Sequence, residues 1–396
     1  MNAGNGYRWS ILGLAWFCVF TFAILYQSIP PILGVLVDAL RITHSQAGGL
    51  MSLFALPAVF LSIPGGLLAD RYGTRVVGGA SLLLMALGTL IAALGGSYLI
   101  LGLGRLVTGT GAMVMVVVAP KIVTTWFRER EIGLSMGVFN TSMPLGTIVS
   151  LSFMGKVGLQ FGWKGPIWIG LAVSALALSL YLLLHRTKSS DGQVEAAPSG
   201  LVSSLREAGV GIWWVGLAWA LFNAALISFF TYAPDYFITQ GKEISQAGLQ
   251  ASYPMWGSLI LAPVTGILID KVGGKWLFVT IGCVGAAVLL YLMSWFTGQA
   301  ALVSVLIGVS VAMVPPAIFS LPADLLPERL IGLGFGIIVT MFGVGVFLGP
   351  YAAGFLRDVT GTYLWSFTAM AVFAASGAVP MLLLKRQLGK TKGNSE

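Results

Sequence analysis

The stretch 45-SQAGGLMSLFALPAVFLSIPGGLLADRYGTR-75 decides the fold. From Ala47 to Ala69 it holds no charged residue. A helix needs about 20 such residues to cross a ~30 Å hydrocarbon core. Asp70, Arg71 and Arg75 then crowd around Gly73, and a new apolar run begins at Val76. Glycine permits the tight turn that two consecutive spans require. The same pattern returns later: 245-SQAGLQASYPMWGSLILAPVTGILIDKVGGK-275 aligns without a gap, and 10 of the 31 positions are identical. Gly66, Asp70 and Gly73 match Gly266, Asp270 and Gly273, while Arg71 and Arg75 match Lys271 and Lys275. Chance likeness between apolar helices does not readily place an acid, two glycines and two basic residues in one register. The chain reads as two parallel copies of one unit.

Composition agrees. Of 396 residues, 57% are hydrophobic and 9% charged, against about 25% charged in a soluble protein. Too few charges remain to cover a water-exposed surface. The long unbroken apolar runs, such as Ser81 to Leu94, exclude the short alternating segments of a membrane barrel. The reading is an all-α integral membrane protein with twelve transmembrane helices in two pseudo-symmetric six-helix halves.

The spans are expected near 9–35, 46–69, 76–96, 98–125, 132–155, 165–184, 211–235, 247–269, 276–296, 300–322, 331–354 and 364–384. This divides the chain into an N-terminal half (1–184), a polar linker (185–210), a C-terminal half (211–384) and a short tail (385–396). An even number of spans puts both termini on one side. If that side is cytoplasmic, 15 of the 22 Lys and Arg residues fall inside and 5 outside, as the positive-inside rule demands. The net charge of +8 is therefore topological and gives no reason to invoke nucleic acid. The expected location is a plasma membrane of the prokaryotic inner-membrane kind, with the chain a monomer in the lipid bilayer. Cys18 and Cys283 lie in different halves, and His44 and His185 at segment ends. No metal-ligand set and no cofactor motif is present, and no nucleotide-binding loop points to an ATP-driven pump.

Gly66-Leu67-Leu68-Ala69-Asp70-Arg71-Tyr72-Gly73-Thr74-Arg75 resembles the loop motif G-x-L-A-D-R-x-G-R-R of the major facilitator superfamily, with Thr74 as a departure. Arg105-Leu106-Val107-Thr108-Gly109-Thr110-Gly111 is similar to that family's R-x-x-x-G-x-G signature. The resemblance spans essentially the whole chain. It implies a secondary transporter working by alternating access, with the binding site between the halves near the midplane. It also implies a gate: Gly66, Asp70, Arg71, Gly73 and Arg75 would close the inner side through the start of span 11. Asp270, Lys271 and Gly273 would serve the symmetric site, with Arg128 and Arg130 as candidate partners.

Ionisable groups inside a membrane are costly and mark function. None of the fourteen acids falls clearly at the midplane; Asp38 and Asp235, both peripheral, come nearest to a proton-coupling group. Two basic residues lie within spans. Lys121 is close enough to the interface to snorkel. Arg105 lies about 10 Å along span 4 from Tyr98 and must find carbonyls, water or an anion. An interior with positive charge and no central acid favours a small organic or inorganic anion as substrate, with Arg105 as principal contact. Tyr26, Gln27, Asn140, Asn223, Tyr232, Tyr253 and Trp256 are the further candidates for a polar cavity. A co-transported proton or an exchanged counter-anion remains open as coupling partner. A multidrug or neutral-solute exporter of the same fold is the alternative, although Asn140 to Gly146 departs from the glycine- and proline-rich motif of drug antiporters. A transporter-like sensor is the alternative of another class. No clustered nucleophile and base suggests an enzyme.

Overall fold

An apolar run inside a bilayer has no water to bond its backbone, so it closes its hydrogen bonds internally as a helix. The computed structural model describes residues 3–127, 132–186, 205–327 and 330–393, and among them it holds helices and no strand. The first half contributes α1 (Ala3–Tyr26), α2 (Leu33–Leu40), α3 (His44–Leu94), α4 (Tyr98–Phe127), α5 (Ile132–Asn140), α6 (Ser142–Phe161) and α7 (Lys164–Leu184). The second contributes α8 (Gly209–Thr239), α9 (Ile244–Val272), α10 (Lys275–Met293), α11 (Ala300–Leu325), α12 (Ile331–Thr360) and α13 (Tyr363–Gly393). Most of the expected linker, 187–204, lies outside the described residues, as do 394–396 of the tail.

Eleven stretches among the described residues are long and apolar enough to cross a membrane. Two of them share α3 and meet at Gly73, whose φ of 81° and ψ of 154° break the helix. The expected fifth span is divided between α5 and α6 at Thr141. Pro144 has no N–H for the Asn140 carbonyl, and the Thr141 N–H turns back to Val138 at 3.1 Å. The hydroxyls of Thr141 and Ser142 bond the Val138 and Phe139 carbonyls. The expected first span is interrupted as well: α1 stops at Tyr26, ahead of Pro30 and Pro31, and a 3₁₀ turn leads into α2.

The chain forms two compact units. One is Met1–Ile42 with Leu53–Ala196; the other is Thr43–Ser52 with Ala197–Glu396. The first turns of α3 thus group with the second unit, although by sequence they belong to the first half. In the first unit α1 lies against α4, α6 and α7. In the second, α8 lies against α12 and α13, α9 against α11, and α10 against α11 and α13.

Small residues let these backbones approach. A methyl at Gly109 would overlap the Phe54 carbonyl, and one at Gly111 the Ser81 carbonyl. Residues two apart on a helix point to different sides, so the glycine pair of span 4 seats α4 against both arms of α3. In the second unit Gly345 and Gly349 of α12 meet the Ala220 and Ala224 carbonyls of α8 in the same way. Gly109→Ala or Gly111→Ala should therefore destabilise the protein by about 1–3 kcal/mol through overpacking. Gly13→Ala, whose added methyl meets nothing within 4 Å, should not. Thermal unfolding of the purified full-length protein, followed by size exclusion, checks both.

Candidate functional site

The end of α1 positions the deepest charge in the first unit. In a continuing helix the N–H groups of residues 30 and 31 would bond the carbonyls of Tyr26 and Gln27. Both residues are prolines and have none. Arg105, projecting from α4, donates to the Tyr26 carbonyl at 3.0 Å and to the Leu25 carbonyl at 2.6 Å. Ser150, on α6, donates to the Gln27 carbonyl at 2.9 Å and to that of Ile24 at 3.5 Å. The Ala23 carbonyl accepts the Gln27 N–H at 3.0 Å. Every carbonyl orphaned at this helix end thus has a donor. The guanidinium also suits the negative end of the helix dipole, and its carbon lies 4.4 Å from the Phe54 ring centroid, a cation–π contact. Arg105 is 4% exposed.

Two of the sequence-predicted polar residues sit beside this node. Tyr26 and Gln27 are 1% and 0% exposed. The Tyr26 ring lies 5.1 Å from Phe54 and 5.8 Å from Phe22, yet among the described residues its hydroxyl has no partner, nor has either atom of the Gln27 amide. Buried groups of this kind ordinarily have a bond. A small cavity beside the node is bounded by Leu25, Ser28, Thr89, Arg105, Thr108 and Pro166.

The charged turns keep their symmetry in the backbone and lose it in the side chains. Gly73 and Gly273 both have positive φ, 81° and 70°. Thr74, the departure from the family motif, is buried. Its hydroxyl lies 3.0 Å from His185 Nε2, and its carbonyl accepts the Tyr181 hydroxyl at 2.7 Å. An arginine would not fit there. In the second unit the counterpart of Thr74 is Gly274, and Lys275, the counterpart of Arg75, pairs with Asp324 at 2.7 Å and donates to the Ser320 carbonyl at 3.0 Å, tying α10 to α11. Gly66 leaves ordinary contact distance, 3.5 Å, between an added methyl and Val117. Arg71, Arg75 and Lys271 are exposed. The side chains of Asp70 and Asp270, and all of Arg128 and Arg130, lie outside the described residues.

In the second unit a polar cluster surrounds the start of α3. Thr43 and Gln46 form a reciprocal capping box, with bonds of 3.0 and 3.1 Å. Asp358, on α12, accepts the next two N–H groups, His44 at 2.9 Å and Ser45 at 2.7 Å. The Tyr232 hydroxyl reaches the His44 carbonyl at 2.8 Å and the Pro350 carbonyl at 2.9 Å. It does so over Gly48 and Gly354, where any methyl would overlap it. Asp235 lies four residues before the end of α8 and is 9% exposed; it accepts the Tyr363 hydroxyl and lies 3.6 Å from His44 Nε2.

The other predicted residues do not join these clusters. Asn140 is exposed, Trp256 is 41% exposed, and Tyr253 is half-buried on α9. Asn223 is buried but donates to the Trp219 carbonyl of its own helix at 2.8 Å. Phe54, His44, Asp358 and Tyr363 were not singled out by sequence reasoning. Phe54 carried no signal. The other three are rare polar groups at span ends, and their scarcity was a usable one.

A family model described as the Major Facilitator Superfamily matches residues 15–245 and 239–396. The Lysosomal dipeptide transporter MFSD1 of Danio rerio is 23% identical, the match covering 94% of this chain and 86% of that protein. The Probable sulfoacetate transporter SauU of Cupriavidus necator is 24% identical over 95% and 94%. Among solved structures, the nucleoside transporter NupG superposes with a TM-score of 0.79 at 15% identity, covering 94% of this chain and 99% of NupG.

The geometry of Arg105 predicts a stability role. Arg105→Gln should lower the melting temperature by an amount corresponding to about 3 kcal/mol, since charged hydrogen bonds contribute about 1.5–3 kcal/mol. Arg105→Lys should recover little of the loss, because an ammonium lacks the planar fork that spans two carbonyls. Thermal unfolding of the two variants beside the parent decides it.

Proposed function

Since the chain belongs to the Major Facilitator Superfamily, we propose that it is a secondary transporter that moves a small carboxylate-bearing organic solute by alternating access. The observation that carries this reading is the pair of unpartnered polar side chains, Tyr26 and Gln27, buried beside Arg105. A buried polar group without a partner costs about 1–3 kcal/mol. Here a phenol packs on the same Phe54 ring as a fixed positive charge, and the amide belongs to the next residue along the chain. They offer a hydroxyl donor, amide donors and acceptors, and a field that favours an anion. The names of two relatives point the same way: sulfoacetate is an organic anion, and a dipeptide carries a carboxylate at neutral pH.

Arg105 acts in this reading as a source of positive field held in place by the end of α1. The direct polar contacts come from Tyr26 and Gln27. The turn residues Asp70, Arg71 and Asp270 serve the gate, as the family motif implies.

The test is a thermal-shift screen of the purified protein against sulfoacetate, uronates and dipeptides, with neutral sugars and lipophilic cations as comparators. A bound solute raises the melting temperature through linkage. Carboxylates should do so and the comparators should not; a response confined to lipophilic cations would favour drug export instead. Tyr26→Phe and Gln27→Leu should leave the unliganded melting temperature unchanged or higher, because each removes an unpaired polar group. Uptake into proteoliposomes should fall at least tenfold in both. Full uptake in both variants would overturn the site. Asp70→Asn should slow uptake at least tenfold while the ligand-induced thermal shift is kept, which separates gating from binding.

A further inference from the structure

The His44 ring in the second unit lies between two carboxylates. Nδ1 is 3.2 Å from Asp358 Oδ1, and Nε2 is 3.6 Å from Asp235 Oδ2. The same Asp358 carboxylate accepts the His44 and Ser45 N–H groups. Asp235 accepts the Tyr363 hydroxyl, and the Tyr363 ring meets the imidazole edge-on at 6.1 Å. The Arg357 guanidinium lies over that same ring at 4.7 Å. The charged and titratable groups facing His44 are therefore Asp235 and Tyr232 from α8, Asp358 and Arg357 from α12, and Tyr363 from α13.

This geometry distinguishes the two nitrogens. A proton on Nδ1 is satisfied by Asp358 in either charge state of the ring, which selects that tautomer. Nε2 then faces Asp235 as a bare lone pair when the histidine is neutral and as an N–H when it is charged. The first arrangement is repulsive and the second attractive. The His44 side chain is 20% exposed and Asp235 12%, so water can deliver the proton.

We propose that His44 Nε2 and Asp235 form a proton-binding site, and that the bound proton pins residues 43–52 to the rest of the second unit. The sign follows from the charges. With the proton bound, an imidazolium bridges two carboxylates that belong to α8 and α12. Once it is lost, one negative group faces a lone pair, and the remaining restraints are the Asp358 cap, the Tyr232 hydroxyl and the Ser52 bond to the Phe347 carbonyl at 2.5 Å. Docking is strongest with the proton bound and weakens once it is lost. The inference does not depend on which solute is carried.

A single nitroxide at Ser45, whose side chain is half-exposed, reports the docking. It would be attached as Ser45→Cys in the full-length chain, with the two buried cysteines, Cys18 and Cys283, replaced by alanine. Between pH 5.5 and 8.5 the immobile fraction of the continuous-wave EPR spectrum should fall at least twofold. In His44→Gln it should not change with pH. A parent spectrum that ignores pH, or an equal change in His44→Gln, overturns the proposal. Should His44→Gln fail to fold, Asp235→Asn keeps the shape and the Tyr363 contact. It should shrink the pH response, and an unaltered response in that variant is equally fatal.

Discussion

The first unit depends on the hydrogen bonds that close the end of α1. Pro30 and Pro31 remove two N–H groups from the place where the helix would have used them, which frees the carbonyls of Tyr26 and Gln27 inside a membrane span. Water cannot serve as the alternative partner in hydrocarbon. Arg105 and Ser150, from two other helices, supply the donors. That one requirement draws α4 and α6 to α1 and buries a guanidinium in a chain with little charge. It also sets Tyr26 and Gln27 where their side chains have no partner among the described residues. Stability and the candidate site thus share an origin: the backbone consumes Arg105, and the neighbouring side chains are left over.

The internal repeat shows how one sequence register supports different chemistry. Gly73 and Gly273 adopt the same left-handed turn, because both must reverse the chain between two spans. Beyond the glycine the copies diverge. Thr74 enters a buried contact with His185 and Tyr181 where the other copy has Gly274, and Lys275, the counterpart of the exposed Arg75, forms an ion pair with Asp324. The backbone role is common to both halves, and the side-chain role is specific to each. Thr74, the departure from the family motif, is buried and bonded to His185 and Tyr181.

The second unit gathers its polar groups at the start of α3. There the helix N-terminus is capped twice, by its own Thr43 and Gln46 and by Asp358 from α12. Asp358 joins a helix dipole, a histidine and an aspartate into one cluster. Such a concentration of titratable groups is unusual in a protein that is 9% charged.

Much of the fold was legible in the sequence. Hydropathy marks spans because each apolar run must satisfy its own backbone, a local and additive property. The repeat and the turn glycines were legible in the same way. The interruptions at Thr141 and after Tyr26 were written in Pro144, Pro30 and Pro31, although a hydropathy window passes over them. The sequence by itself determined that this is a helical membrane protein of the Major Facilitator Superfamily carrying an internal repeat. Only the tertiary structure decided that Arg105 holds carbonyls, that Asp235 meets a histidine 191 positions away, and that Tyr26 and Gln27 lack partners among the described residues. Those outcomes depend on which helix ends meet across the bundle. A carbonyl freed by a proline, or a carboxylate at a span end, takes whatever donor the packing brings within about 3 Å, and no local pattern in the chain encodes that distance.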